Sequence, residues 1–210
     1  MTMTAALMRG LADCRTVETT LSLPIRTTRL VLREITEDDL DDHARLFSQP
    51  EVVRFLYDNQ MDLEQLRAHF ARRLWHGLPD EGAWFNLAVE HEGVFVGEVG
   101  LGLASAAHRC FEVGYVFAPA FQGLGFATEA TRAMIDVAFR DLNAHRVVAR
   151  LDARNDASRH LLERLGMRRE AHLVQNEFIK GEWTDELIFA VLEGEWALEG
   201  DGDQPSRERQ

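Results

Sequence analysis

Residues 113–135 read VGYVFAPAFQGLGFATEATRAMI. A strand-like run enters a short loop holding Gly123 and Gly125, and a helical pattern begins at once. Ala127, Ala130, Met134, Val137 and Ala138 recur at helical spacing, with Glu129, Arg132, Asp136 and Arg140 on the opposite stripe. The segment HRVVARL at 145–151 is strand-like again. A helix that joins two strands of one sheet crosses over right-handed and leaves them locally parallel. This unit requires an α/β chain whose sheet is covered by helices.

The loop supports two readings. It is a glycine turn that starts a helix, or a site for an anion. The N–H groups of residues 123–128 open a helix and lack intrahelical partners, and the helix dipole adds positive charge there. A pyrophosphate is a natural occupant. The loop is not a P-loop, because no Lys-Ser/Thr follows the second glycine. It is not the dinucleotide fingerprint either, because the third glycine is missing and the preceding strand is not the first of the fold.

The flanking sequence supplies the remaining elements. RLVLRE at 29–34 alternates as a strand. Thr36 with Asp39 forms a variant capping box for a helix carrying Leu40, Ala44 and Phe47. Asp62 with Gln65 starts a second helix, whose stripe is Leu63, Leu66, Phe70 and Leu74, with Gly77 as its stop. AWFNLAVEH and GVFVGEVGLGL form two strands about a turn near HEG, and RCFEVGYVF a third. SRHLLERLGM is a short helix ended at Gly166, and residues 172–192 a hairpin turning near Lys180–Gly181. The expected order is β α α β β β α β α β β, a mixed α/β sheet with helices on both faces.

The chain has 210 residues, 46% hydrophobic and 28% charged, which suits one soluble domain with tails. The net charge of −12 argues against a nucleic-acid partner, which calls for a basic face. Residues 193–210 contribute six acids against two arginines. No apolar run approaches the ~20 residues of a membrane span, and the start lacks the basic and apolar regions of a signal peptide. Cys14 and Cys110 form neither a disulfide framework nor a zinc site, so a reducing cytoplasm fits. None of the eight histidines has metal-ligand spacing with a partner.

Gln122, Gly125 and Ala127 make a Q-x-x-G-x-A motif after GYVFAPAFQ. This resembles the coenzyme A loop of the GNAT N-acetyltransferases. TTRLVLREITEDD, NDASRHLLERLGM and IKGEWTDELIFAVLEGEW are similar to segments of the ribosomal-protein (RimJ/RimL-like) branch, and the resemblance covers roughly residues 24–196. It implies a GNAT fold over residues 23–196, with a flexible extension at 1–22 and a flexible acidic tail at 197–210. Acetyl-CoA would lie where the parallel strands at 110–118 and 145–151 splay apart. Its pantetheine arm would pair with backbone groups of Val116, Phe117 and Ala118, as an added strand does. Its pyrophosphate would rest on the loop of Gln122, Gly123, Leu124, Gly125, Phe126, Ala127 and Thr128. The second substrate would be an amine, and a homodimer built on the hairpin 172–192 follows by analogy.

Acetyl transfer needs a neutral amine, a stabilised thioester oxygen and a path for the leaving thiolate, whose own pKa is ~8.5. Alternation places Glu112 on the face of Gly114 and Val116, opposite Phe111, Val113, Tyr115 and Phe117. By resemblance it is the candidate base; otherwise it is a surface glutamate. Many members carry a tyrosine seven residues after the asparagine that matches Asn155, and here that position is Leu162. In the RimJ/RimL-like branch the serine matching Ser158 is the candidate acid, or only a hydrogen-bond donor to the sulfur, and the resemblance makes Asn155 and Ser158 cofactor contacts. Asn155 and Ser158 also read as a turn and cap for the following helix. His172, Trp84 and Trp183 could line the acceptor site or merely pack, and Tyr115 and Phe117 read as core. Cys110 lacks an activating partner, so direct transfer in a ternary complex is expected. The alternatives are a non-catalytic acyl-CoA module, or transfer of a larger acyl group such as succinyl.

Overall fold

The computed structural model describes residues 21–57, 61–74 and 77–197. The extension expected at 1–22 lies outside these residues up to position 20, as do Cys14, His76 and the tail beyond 197. Eight strands form one sheet: β1 (Ile25–Arg26), β2 (Val31–Glu34), β3 (Trp84–His91), β4 (Val94–Ser105), β5 (Cys110–Phe117), β6 (Arg146–Asp152), β7 (Arg168–Ile179) and β8 (Glu182–Leu192). Their order is β1-β2-β3-β4-β5-β6-β8-β7. Every neighbouring pair is antiparallel except β5 and β6, which the crossover helix makes parallel.

Among the described residues five α-helices cover the sheet: α1 (Leu40–Phe47), α2 (Pro50–Val53), α3 (Leu63–Ala71), α4 (Phe126–Arg140) and α5 (Asp156–Arg164). Their starts follow the capping chemistry. Thr36 N–H donates to Asp39 Oδ2 at 2.8 Å, and Asp62 and Gln65 exchange bonds at 2.9 and 3.0 Å. Lys180 and Gly181 both hold positive φ, as a two-residue hairpin turn requires. The sequence reading missed α2 and β1, both short. It also placed Leu63 in the stripe of α3, where Leu63 is exposed and Leu66, His69 and Phe70 are buried. Asp136, expected on the solvent stripe of α4, is buried because Trp196 Nε1 donates to its Oδ1 at 2.6 Å.

Alternation gives the sheet two differently used faces. Phe111, Val113 and Phe117 of β5 join Leu87, Leu101, Val147 and Phe189 against α4 and α5 in the main core. The other face carries Val116 and Ala118 against α1, with Leu46 and Phe47 buried there. Ile35, Phe70 and Ala88 close a third cluster under α3.

Candidate active site

The sheet opens where α4 crosses it. β5 and β6 pair only through Cys110–Arg146, Phe111–Val147 and Glu112–Val148, although β5 continues to Phe117 and β6 to Asp152. A cavity of about 600 Å³ occupies the opening, lined by Glu112 to Val116 on one side and Ala149 to Asp152 on the other. Asn155, Ser158 and Leu162 of the α5 segment close one end; Trp84, Asn86, Glu98, His69, Arg72 and Arg73 form a wall on the α3 side.

The phase of β5 decides which backbone groups face the opening. Ala118 N–H donates to Val96 O at 3.0 Å, so Ala118 belongs to a hydrogen-bonded pair with β4. Bonded and non-bonded pairs alternate along an antiparallel ladder, so Val116 also points to β4 through its pairing with Glu98. The groups turned toward the opening are those of Val113, Tyr115 and Phe117. Of the three residues expected to hold the pantetheine arm, only Phe117 presents its backbone there. Its carbonyl accepts from Gln122 Nε2 at 3.1 Å, which ties the loop to the strand end.

The loop then turns on Gly123 and Gly125, at φ 75° and 82°, and Gly125 is the cap of α4 with no side-chain bond. Such angles favour glycine. Among the described residues none accepts from the N–H groups of residues 123–128; the first amide of this stretch to be engaged is Glu129, which bonds Gly125 O at 3.0 Å. Arg29 buttresses the turn from outside. Its Nη1 donates to Leu124 O at 2.9 Å, its Nε pairs with Glu129 at 2.7 Å, and its guanidinium covers the Phe126 ring. Gly123, Leu124, Gly125, Phe126, Ala127 and Thr128 thus offer a run of amides at the end of β5, a cradle that fits a diphosphate.

Asn155 caps α5: its Oδ1 accepts from Ser158 N–H at 3.1 Å. Ser158 and Tyr115 line the cavity together, and burial pushes the Tyr115 phenol up to about 12. Tyr115 is therefore not core alone. Leu162, one turn on, is buried and apolar.

Glu112 stands across the opening, on the face its alternation predicts. Its side chain is 25% exposed, and its nearest cation is Arg150, with Nε 3.6 Å from Oε2. Burial holds its carboxyl above the ordinary range; Arg150 opposes this, and Glu186 and Glu177 reinforce it. Arg150 is shared with Glu186, which also accepts from Asn176 at 2.8 Å. Trp84 lies flat on the sheet beside Glu112. A Cβ on Gly102 would stand 2.5 Å from its Cε2, and one on Gly114 3.1 Å from its Cζ3, so the glycines make the floor on which the indole rests.

Trp183 is not part of the lining; it packs on Phe178 at 5.3 Å and is exposed. His172 bonds Asp185 at 2.8 Å on the outer strand. Burial raises the Cys110 thiol, so it has no activated form. Among the described residues no group of three or more His, Cys, Asp or Glu is arranged to hold a metal ion, and no helix is long and apolar enough to cross a membrane. The sequence reading missed the buried His43, His69 and Glu98 and the half-buried Arg73 that joins them. Their one visible signal was polar residues at inward positions of α1, α3 and β4.

A family model described as an acetyltransferase (GNAT) domain matches residues 29–168. The chain is 28% identical over 172 residues to the uncharacterized N-acetyltransferase YnaD of Bacillus subtilis (strain 168), covering 82% of this chain and 98% of that protein. Among solved structures it is similar to a GNAT-family acetyltransferase from Bacillus anthracis, with a TM-score of 0.74 at 27% identity over 82% of this chain and all of the other. A spermidine N-acetyltransferase from Vibrio cholerae, solved in complex with CoA and spermine, shares the fold at a TM-score of 0.70 and 24% identity, over 80% of this chain and 98% of that one.

Proposed function

This chain belongs to the acetyltransferase (GNAT) domain family, and from that premise we propose that it transfers acetyl from acetyl-CoA directly to a primary amine, with both substrates bound at once. The observation that carries this reading is the three-residue pairing of β5 with β6, which leaves an opening through the sheet beside a run of unengaged amides. Acetyl-CoA supplies the activated acyl group. The residues present fit it: amides 123–128 for the diphosphate, and gap-facing groups of Val113, Tyr115 and Phe117 for the amide-bearing arm.

The chemistry then falls to side chains on both sides of the opening. Glu112 takes the proton that the amine must lose as its nitrogen bonds the acyl carbon. The C–S bond breaks, its electron pair goes to sulfur, and Ser158 donates a hydrogen bond to the thiolate. In this reading N–H groups of Val113 and Tyr115 stabilise charge on the acyl oxygen. Burial raises the Glu112 pKa, the direction that makes a carboxylate a stronger base.

The acceptor in this reading is a protein N-terminus, as in the RimJ/RimL-like branch, or a small amine, which the likeness to a spermidine N-acetyltransferase supports. The reducing cytoplasm is the compartment that fits two sparse cysteines. Val174, Phe178 and Trp183, exposed on the β7–β8 hairpin, support a homodimer face. Leu162 in the place of a tyrosine favours one rival, a module that binds acyl-CoA without turnover. Release of free thiol from acetyl-CoA in the presence of an amine panel decides between them. The transferase reading expects amine-dependent thiol release; CoA binding with no release by any amine would leave the rival.

A further inference from the structure

The α3 side of the cavity carries a closed ring of hydrogen bonds that acetyl transfer as described does not use. Arg73 can only donate. Its Nη1 donates to Glu98 Oε2 at 2.9 Å and to Asn86 Oδ1 at 3.2 Å, and its Nη2 to His69 Nε2 at 3.1 Å. Burial, then the Arg73 charge, push the His69 pKa down to about 3, so this ring is neutral. With Nε2 accepting, its one proton sits on Nδ1 and goes to His43 Nε2, 3.0 Å away. His43 in turn donates from Nδ1 to Glu98 Oε1 at 2.5 Å. The bonds run one way around, from Arg73 back to Glu98.

Two consequences follow for the cavity. Glu98 is 1% exposed and both its oxygens are engaged inside the ring, so its charge offsets Arg73 and is not offered to a ligand. The amide of Asn86 has a fixed orientation, oxygen to Arg73, which leaves its NH₂ hydrogens for the cavity. Asn86 leans over Gly100, where a Cβ would come within 2.5 Å of its Oδ1. Arg72 lines the same cavity and is exposed. This wall therefore presents donors and positive charge. With the Glu98 oxygens spent inside the ring, an ammonium gains no carboxylate on this wall, whereas an oxygen gains the amide hydrogens and the guanidinium.

We propose that this wall selects the acceptor: the amine acetylated here carries a carboxylate or carbonyl oxygen, which Asn86 and Arg72 hold. Gly100 pairs with Gly114 at the edge of the opening, so Asn86 leaning over β4 stands about one strand spacing, ~5 Å, from the β5 line. The oxygen lies a few bonds from the reacting nitrogen, as in an amino acid or the first residues of a peptide. Arg73, His69, His43 and Glu98 are positioning residues that lock the amide of Asn86. The inference rests on the transferase reading and narrows its acceptor.

The test is the kcat/KM of acetylation for four acceptors: butylamine, 1,4-diaminobutane, alanine, and a tripeptide amide with a free N-terminus. Wild type is expected to prefer the last two at least tenfold. Asn86→Asp, which puts an acceptor where the NH₂ stood, is expected to raise KM for alanine and the tripeptide amide at least tenfold more than for butylamine. Arg72→Gln, an exposed change that keeps the fold even where Asn86→Asp does not, is expected to weaken alanine more than the tripeptide amide if the oxygen is a carboxylate, and both alike if it is a carbonyl. His69→Gln, which can accept from Arg73 and donate to His43, is expected to keep the preference that His69→Leu loses. Equal turnover of butylamine or diaminobutane and the oxygen-bearing amines, or loss of all four alike in Asn86→Asp and Arg72→Gln, overturns the proposal and leaves the transferase standing. If no amine is turned over, calorimetry with N-acetylalanine and N-acetylbutylamine decides. Preferential binding of the first, lost in Asn86→Asp, supports the wall and sinks only the transferase reading; equal or absent binding overturns the wall.

Discussion

Two glutamates face the same cavity from neighbouring strands of one sheet face, and they are in opposite states. Glu98 on β4 is buried, with one oxygen on His43 and the other on Arg73. Glu112 on β5 is more accessible, and its nearest cation is an Arg150 that it shares with Glu186 at a closer range. Burial alone does not make a carboxylate reactive. What matters is whether its oxygens are already engaged. Glu98 is matched by a guanidinium and a histidine and acts as structure, whereas Glu112 is desolvated with an incomplete partner set and has capacity left for a substrate proton.

The comparison breaks most visibly at Glu98. Glu98→Ala removes the acceptor of buried His43 and of the part-exposed Arg73 and is expected to cost about 3 kcal/mol in chemical denaturation. A loss below 1 kcal/mol would mean that the ring stabilises little. Glu112→Gln is expected to do the reverse: roughly a hundredfold lower kcat/KM at neutral pH, about 2.7 kcal/mol in transition-state terms, with stability changed by less than about 1 kcal/mol. The sign of its pH dependence follows from its raised pKa. The folded state holds the proton more tightly than the unfolded chain, so this group's contribution to stability is complete below the ordinary carboxylate pKa and is lost as pH rises through the raised value. Glu112→Gln should therefore be equal to or slightly more stable than wild type at neutral pH, and the difference should vanish in acid. The wild-type rate should fall as pH drops through the same raised pKa, and that limb should be absent in the variant.

Smaller effects sharpen the picture around the thiol side. Ser158→Ala is expected to lower kcat about tenfold with CoA affinity nearly unchanged, the loss of one hydrogen bond to a charged group at ~1.5 kcal/mol. An unchanged kcat would reduce Ser158 to its place in the helix cap. Asn155→Ala removes the α5 cap and is expected to cost about 1 kcal/mol of stability, measured by thermal or denaturant melting.

The crossover was legible because every part of it is local, while the parting of its two strands came only with the family resemblance. Strand, double-glycine turn, amphipathic helix and strand follow in one stretch, and a crossover leaves little choice of topology. The caps at Thr36–Asp39 and Asp62–Gln65 and the turn at Lys180–Gly181 were legible for the same reason. The acid-rich TEDDLDDHARLF hid His43, because its burial depends on Glu98, 55 residues away, and on His69, 26 away. Asp136 looked solvent-facing because its partner, Trp196, lies 60 residues on. The backbone phase of β5 was misjudged at Val116 and Ala118 since it is set by pairing with β4, which carries register shifts of its own. Face alternation survived that error, so Glu112 stands where expected while its strand presents different backbone groups to the opening.

The most direct measurement is amide hydrogen exchange of the full chain with and without CoA. Slowed exchange is expected at residues 123–128 and at the gap-facing amides of Val113, Tyr115 and Phe117, with Ala118, already bonded to Val96, unchanged. Bound CoA that leaves the amides of 123–128 exchanging at their free rate would contradict a diphosphate cradle at that turn, and with it the reading of the parted strands as the acyl-donor site.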